Sequence, residues 1–176
     1  MKIDKTIALV GLMGVGKSSI GRRLAYALGL SFMDSDQELE TAAGCSIVDI
    51  YERWGVEAFQ DAEKRVIKRL LSKPPHVLST GEGTFVVEET RDLLKSKALT
   101  IWLKADLETI YQRVKHRNTR PRLLEGDPFE ILQKLERERE HLYAQADLTI
   151  ESQGDCYEQT VSVILDAIHT KGLQAR

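Results

Sequence analysis

The octapeptide GLMGVGKS, residues 11 to 18, constrains the architecture more than any other stretch of the chain. It fits G-x-x-x-x-G-K-[ST] at every fixed position: Gly11, Gly16, Lys17 and Ser18. An apolar run, TIALV (6 to 10), leads into it, and a segment with helical character, KSSIGRRLAYALG (17 to 29), leaves it. A strand that turns through glycines into a helix is the context in which this pattern has physical meaning. Glycines, Gly14 among them, let backbone N–H groups turn inward around phosphate oxygens, and the helix N-terminus adds partial positive charge. Lys17 is placed to pair with the β- and γ-phosphates, Ser18 to offer a hydroxyl to Mg²⁺, and Ser19 to extend the cradle. The motif specifies a nucleoside triphosphate and nothing finer.

The rest of the chain supplies the fold class. Short apolar runs, TIALVG (6 to 11), SFM (31 to 33), HVLST (76 to 80), LTIWL (99 to 103) and DLTIES (147 to 152), read as strands. Between them lie helical patterns: Val66, Ile67, Leu70 and Leu71 share one face, as do Val161, Ile164, Leu165 and Ile168. This alternation implies an α/β sandwich of three layers around a parallel sheet. A length of 176 residues suits one domain, with no repeat and no low-complexity segment. A net charge of −2 gives no basic field for nucleic acid or an anionic membrane. The N-terminal apolar run is too short for a signal peptide or a membrane span. Two cysteines, Cys45 and Cys156, without metal-ligand spacing fit a reduced cytoplasmic protein with no disulfide. The four histidines, at 76, 116, 141 and 169, form no cluster and are expected at the surface or at helix caps.

Two further segments carry chemistry. MDSD (33 to 36) ends the second strand, where sheets of this kind bind ligands. Asp34 and Asp36 alternate along extended chain, so one is suited to a metal-bound water and the other to a substrate hydroxyl. Either can also N-cap the helix DQELETAAG; at Asp36 capping and function are compatible, whereas Asp34 is read as functional. The basic stretch RVKHRNTRPR (113 to 122) precedes a Pro- and Gly-interrupted segment and reads as a closing lid. An arginine brought down by such a lid stabilises charge on a transferring phosphoryl group.

Taken together, GLMGVGKSSIGRRLA, FMDSD, GVEAFQDAE, VLSTGEG, TRPRLL and REREHLYAQADLTI resemble the shikimate kinase family in order and spacing over nearly the whole chain. The resemblance implies one domain, residues 1 to 176, with a fold like that of P-loop nucleoside monophosphate kinases. It implies a five-stranded parallel sheet of order 2-3-1-4-5, a substrate-binding segment at about 34 to 63 and a lid at about 114 to 127. It implies transfer of ATP's γ-phosphate, with Mg²⁺, to the shikimate 3-hydroxyl in aromatic amino-acid (chorismate) biosynthesis. The family's enzymes are expected to be cytoplasmic monomers with no nucleic-acid or membrane partner.

Carried over by position, Lys17 and Ser18 are phosphate and metal residues, Asp34 is metal-linked, and Asp36 holds substrate hydroxyls and acts as base. Arg120 matches the lid arginine, although Arg122 in RPRLL competes for that role. Arg113 matches an adenine-stacking arginine, and Arg139 an arginine that clamps the substrate carboxylate. Lys17, Asp36 and Arg120 form the catalytic set.

Two positions depart from the family pattern. Gln60 stands where the family has a second carboxylate-binding arginine. Glu82, in TGEG, replaces the middle of three glycines that line the substrate pocket between Gly81 and Gly83. Losing the arginine forfeits a charge-assisted contact worth about 1.5–3 kcal/mol. A carboxylate about 4 Å from an anionic substrate adds repulsion of about 4 kcal/mol at surface-like dielectric. Three readings follow. The first is a shikimate kinase in which Glu82 turns away or pairs with a neighbouring cation, leaving Arg139 to anchor the substrate. The second is a kinase for a neutral or cationic polyol, and the third a catalytically weak ATP-binding regulator. Retention of Lys17, Ser18, Asp34, Asp36 and a lid arginine argues against the third, and the first is the reading adopted. A side chain at position 82 further requires a backbone that does not need φ > 0 there.

Overall fold

The computed structural model describes residues 3–115, 126–152 and 156–171. Five strands, β1 (Thr6–Val10), β2 (Ser31–Asp34), β3 (His76–Ser79), β4 (Ala98–Lys104) and β5 (Leu148–Glu151), form one sheet. Its order is β2-β3-β1-β4-β5, and every pairing is parallel. This is the order and direction implied by the resemblance. Among the described residues seven helices accompany the strands: α1 (Lys17–Leu28), α2 (Ser35–Ala43), α3 (Ile47–Leu70), α4 (Glu88–Lys97), α5 (Leu107–Val114), α6 (Pro128–Tyr143) and α7 (Tyr157–Thr170).

Burial follows from this order. All five residues of the central β1 are buried, whereas the edge strands β2 and β5 are partly exposed. A strand covered on both faces must be apolar throughout, as Thr6–Val10 nearly is. Ile7 sits in register with Val77 on one side and Leu99 on the other. On one face α1 packs against β3 and α7; elsewhere α4 covers β4 and touches α3. Ile20, Leu24, Ile164 and Ile168 line these contacts and are buried. Reversal of strand order around β1 opens a crevice at the carboxyl ends of β1, β2 and β3.

Local signals set the helix ends. Ser46 and Asp49 form a reciprocal capping box at the start of α3. That helix departs from helical geometry at Gly55 (φ 80°, ψ 179°). Asp106 and Asp127 cap α5 and α6 through their side chains. The cap of α2 is Asp34, not Asp36: its Oδ1 accepts from the Asp36 N–H at 3.1 Å. Helix α2 starts one residue earlier than the pattern suggested, at Ser35, which shifts the capping role to the last strand residue.

His76 also departs from expectation. Among the described residues His141 and His169 are exposed, but His76 is fully buried at the start of β3. Its Nδ1 lies 3.0 Å from the Pro74 carbonyl and 3.2 Å from Thr6 Oγ1. Burial holds its pKa below the ordinary histidine value. Cys45 and Cys156 are free thiols. Among the described residues no helix is long and apolar enough to cross a membrane.

Candidate active site

The loop from Gly11 to Gly16 crosses from β1 to α1 at the centre of the crevice. Gly11 adopts φ 137°, and a Cβ there would stand 2.5 Å from the Leu103 carbonyl oxygen on β4. Only glycine lets the loop pass this close to the neighbouring strand. Lys17 begins α1 and is 9% exposed. Its Nζ donates to the Gly11 and Leu12 carbonyls at 2.7 and 2.8 Å. Those carbonyls fold the ammonium over the loop, beside the N-terminus of α1.

Beyond the loop lies a polar cavity of about 210 Å³. Gly14, Gly16, Lys17, Ser18 and Ser19 line it on the loop side, with Asp34, Asp36, Thr80 and Glu82 among the residues opposite. Ser18 Oγ donates to Asp34 Oδ2 at 2.7 Å and lies 3.2 Å from Ser79 Oγ. A hydroxyl and a carboxylate in contact at the mouth of a phosphate loop are the hard oxygen donors that suit Mg²⁺. Among the described residues no group of three His, Cys, Asp or Glu side chains could hold a metal by itself. A cation here would therefore lean on phosphate oxygens and water, as Mg²⁺ does in kinase sites.

Arg113, near the end of α5, donates to the Gly14 and Val15 carbonyls at 3.2 and 3.4 Å. Its guanidinium carbon is 5.4 Å from the centre of the Tyr157 ring, and that of Arg23 is 5.2 Å from the same ring. Tyr157 opens α7 and lines the cavity. Sequence reasoning named Arg113 but not Tyr157; the usable signal was an aromatic at the first position of an amphipathic helix after the last strand. Arg120 and Arg122, the lid candidates, lie outside the described residues, as does most of the lid segment.

The floor is the TGEG turn. The Gly81 N–H donates to Ser35 Oγ at 2.9 Å. A Cβ on Gly81 would lie 2.7 Å from both Asp36 Oδ1 and Glu63 Oε1, so the turn is pressed against two carboxyls. Gly83 has open space around it, and no described non-glycine residue has a positive φ. The backbone at position 82 therefore accepts a side chain without strain. Glu82 does not face solvent: it lines the cavity, and its Oε1 is 3.4 Å from Arg139 Nη1. The Glu82 carbonyl accepts from Tyr143 Oη at 2.7 Å. Arg139 is buried in α6 and reaches the cavity through Glu82. Gln60 is exposed on α3, one turn before Glu63, and is not among the residues lining the cavity.

Glu63 was missed. It is 3% exposed and receives the Thr84 hydroxyl at 2.5 Å. Burial, with further repulsion from Asp36 and Glu82, pushes its carboxyl up to about 7 despite the Thr84 hydrogen bond. The signal was present: Glu63 shares the apolar face of Phe59, Val66, Ile67 and Leu70, all buried.

A family model for shikimate kinase matches residues 13–169, which include the phosphate loop from Met13 onward, both aspartates, the TGEG floor and α6. The chain belongs to the shikimate kinase family. ATP is the phosphate donor of this family, and the chain is a small-molecule kinase of that class. A shikimate kinase of Caulobacter vibrioides (strain NA1000 / CB15N) is 51% identical over 164 residues, covering 93% of this chain and 82% of that protein. One from Paramagnetospirillum magneticum is 48% identical over 169 residues, covering 96% and 87%. The structure of Acinetobacter baumannii shikimate kinase in complex with shikimate superposes with a TM-score of 0.93 at 34% identity, covering 97% and 96% of the two chains. A gluconokinase from Sinorhizobium meliloti shares the fold alone, with a TM-score of 0.58 at 19% identity.

Proposed function

We propose that the protein transfers the γ-phosphate of ATP to the 3-hydroxyl of shikimate, a step toward chorismate, and does so as a cytoplasmic monomer. The observation that carries this reading is the polar cavity that joins the phosphate loop to Asp36 and the TGEG floor. The shikimate complex of a relative 34% identical to this chain supports the choice of acceptor.

In this reading Lys17 leaves the two loop carbonyls for the β- and γ-phosphates, exchanging neutral acceptors for anionic ones. The amides of Gly14 to Ser19 hold the same phosphates at the helix N-terminus. Ser18 and Asp34 are the residues that would hold Mg²⁺, which neutralises phosphate charge when bound. Asp36 takes the proton from the acceptor hydroxyl, and its place beside Gly81 puts that hydroxyl at the turn. Arg113 and Tyr157, packed on each other at 5.4 Å beside the loop, offer a guanidinium and a ring face to the base. Arg139 holds the acceptor carboxylate, Gly81 and Gly83 present bare backbone to the ring, and Arg120 covers the phosphoryl group from the lid at about 114 to 127. Residues from about 34 to 63 form the acceptor-binding segment.

A second reading, a neutral or cationic polyol as acceptor, is favoured by Glu82 lining the cavity. ATP consumption measured with Mg²⁺ against shikimate, quinate, gluconate and amino-polyols decides between them. Shikimate is expected to be the phosphorylated acceptor. Lys17→Ala and Asp36→Asn are each expected to lower turnover by about a hundredfold or more. Undiminished turnover in Lys17→Ala removes the kinase mechanism; transfer to another polyol in place of shikimate removes the acceptor.

A further inference from the structure

Taking the acceptor to be the acid held by Arg139, as put forward above, we propose that Glu82 is an internal competitor for that arginine. It thereby sets the affinity and the charge selectivity of the acceptor subsite. Arg139 and Glu82 are paired at 3.4 Å with side chains only 7% and 14% exposed, so water screens the pair little. An incoming carboxylate meets a guanidinium already neutralised and must displace the Glu82 carboxylate to reach it.

The surroundings restrict how that displacement occurs. The Glu82 peptide is fixed, because its carbonyl accepts from Tyr143 Oη at 2.7 Å. Tyr143 is itself 1% exposed and stacked on Phe85 and Trp102. Only the side chain is left to rotate. Rotation toward the floor brings it to Asp36 and Glu63, two carboxyls that already crowd Gly81. Rotation into the cavity places it against the acceptor. Either way the acid binds at the expense of an ion pair, and like charge opposes the move.

A neutral acceptor of the same shape breaks no ion pair and can donate a hydroxyl hydrogen to the Glu82 carboxylate. Glu82 therefore compresses the preference for acid over neutral analogue, an effect that removal of the charge reverses. Glu82→Gln keeps the side-chain volume and removes the charge; Glu82→Gly removes both.

Calorimetric titration of shikimate and of its neutral methyl ester into wild type, Glu82→Gln and Glu82→Gly, each saturated with magnesium ADP, tests this. Both variants are expected to bind the acid about tenfold tighter than wild type, with the ester changing less than about threefold. Acid affinity unchanged in both variants overturns the proposal. So does an equal gain for acid and ester, which would mark a steric role, and so does absence of acid binding in all three proteins. Phosphate transfer is followed on the same samples. Tighter acid binding without transfer leaves the competitor role standing and removes the acceptor assignment instead.

Discussion

Replacing Glu63 by glutamine removes a buried carboxyl beneath the TGEG turn and should leave a signature in stability against pH. Glu63 is 3% exposed, and burial together with Asp36 and Glu82 pushes its carboxyl up to about 7 from the ordinary 4.5. The folded state therefore binds more protons than the unfolded chain between those values. Stability from the protonated carboxyl is complete below about pH 4.5 and is lost as the pH rises through about 7. The separation corresponds to about 3 kcal/mol. Glutamine still offers a carbonyl to the Thr84 hydroxyl, so the hydrogen bond at 2.5 Å has a substitute acceptor. Urea unfolding of wild type and Glu63→Gln at matched pH values isolates the contribution of this group. The variant is expected to gain about 3 kcal/mol on wild type between pH ~4.5 and pH ~8.5, or about 6–12 °C in Tm. A stability difference that does not vary with pH would show that Glu63 titrates alike in both states, and the burial reasoning would be wrong.

Gly81→Ala puts a methyl group within 2.7 Å of Asp36 and Glu63 oxygens and 3.1 Å of Thr84 Oγ1. It should raise the acceptor KM, leave the ATP KM in place and destabilise by about 1–3 kcal/mol, as read by steady-state kinetics and unfolding. An unchanged acceptor KM would mean the turn does not face the acceptor. Tyr157→Ala should raise the ATP KM about tenfold without moving the acceptor KM. Equal rises in both would point to general damage rather than loss of a base-flanking ring.

The sheet and the phosphate loop were legible because their signals are contiguous. Apolar runs mark buried strands, and G-x-x-x-x-G-K-[ST] between a strand and a helix has one physical use. Asp34 and Asp36 were legible as a pair, but a shift of one residue in a helix start decides which of them caps α2, and short-range pattern does not resolve that. Glu82 showed the reverse: the sequence exposed the anomaly and hid its partner. Arg139 lies 57 positions away, and the two meet because Arg139 and Tyr143 of α6 reach the turn that follows β3. Tyr157 and Glu63 escaped for different reasons. Tyr157 acquires meaning only when α7 packs on α1, beside Arg23 and Arg113. Glu63 looked like one more helix-surface charge until the burial of Phe59, Val66 and Ile67 placed its face inward.

A structure of the protein crystallised with magnesium, a non-hydrolysable ATP analogue and shikimate tests the central claim most directly. It should place the β- and γ-phosphates on the amides of residues 14 to 19, with Lys17 turned from the Gly11 and Leu12 carbonyls onto them. The acceptor hydroxyl should stand between the terminal phosphate and Asp36. Nucleotide ordered elsewhere on the molecule, with Lys17 still folded onto its own loop, would contradict the account.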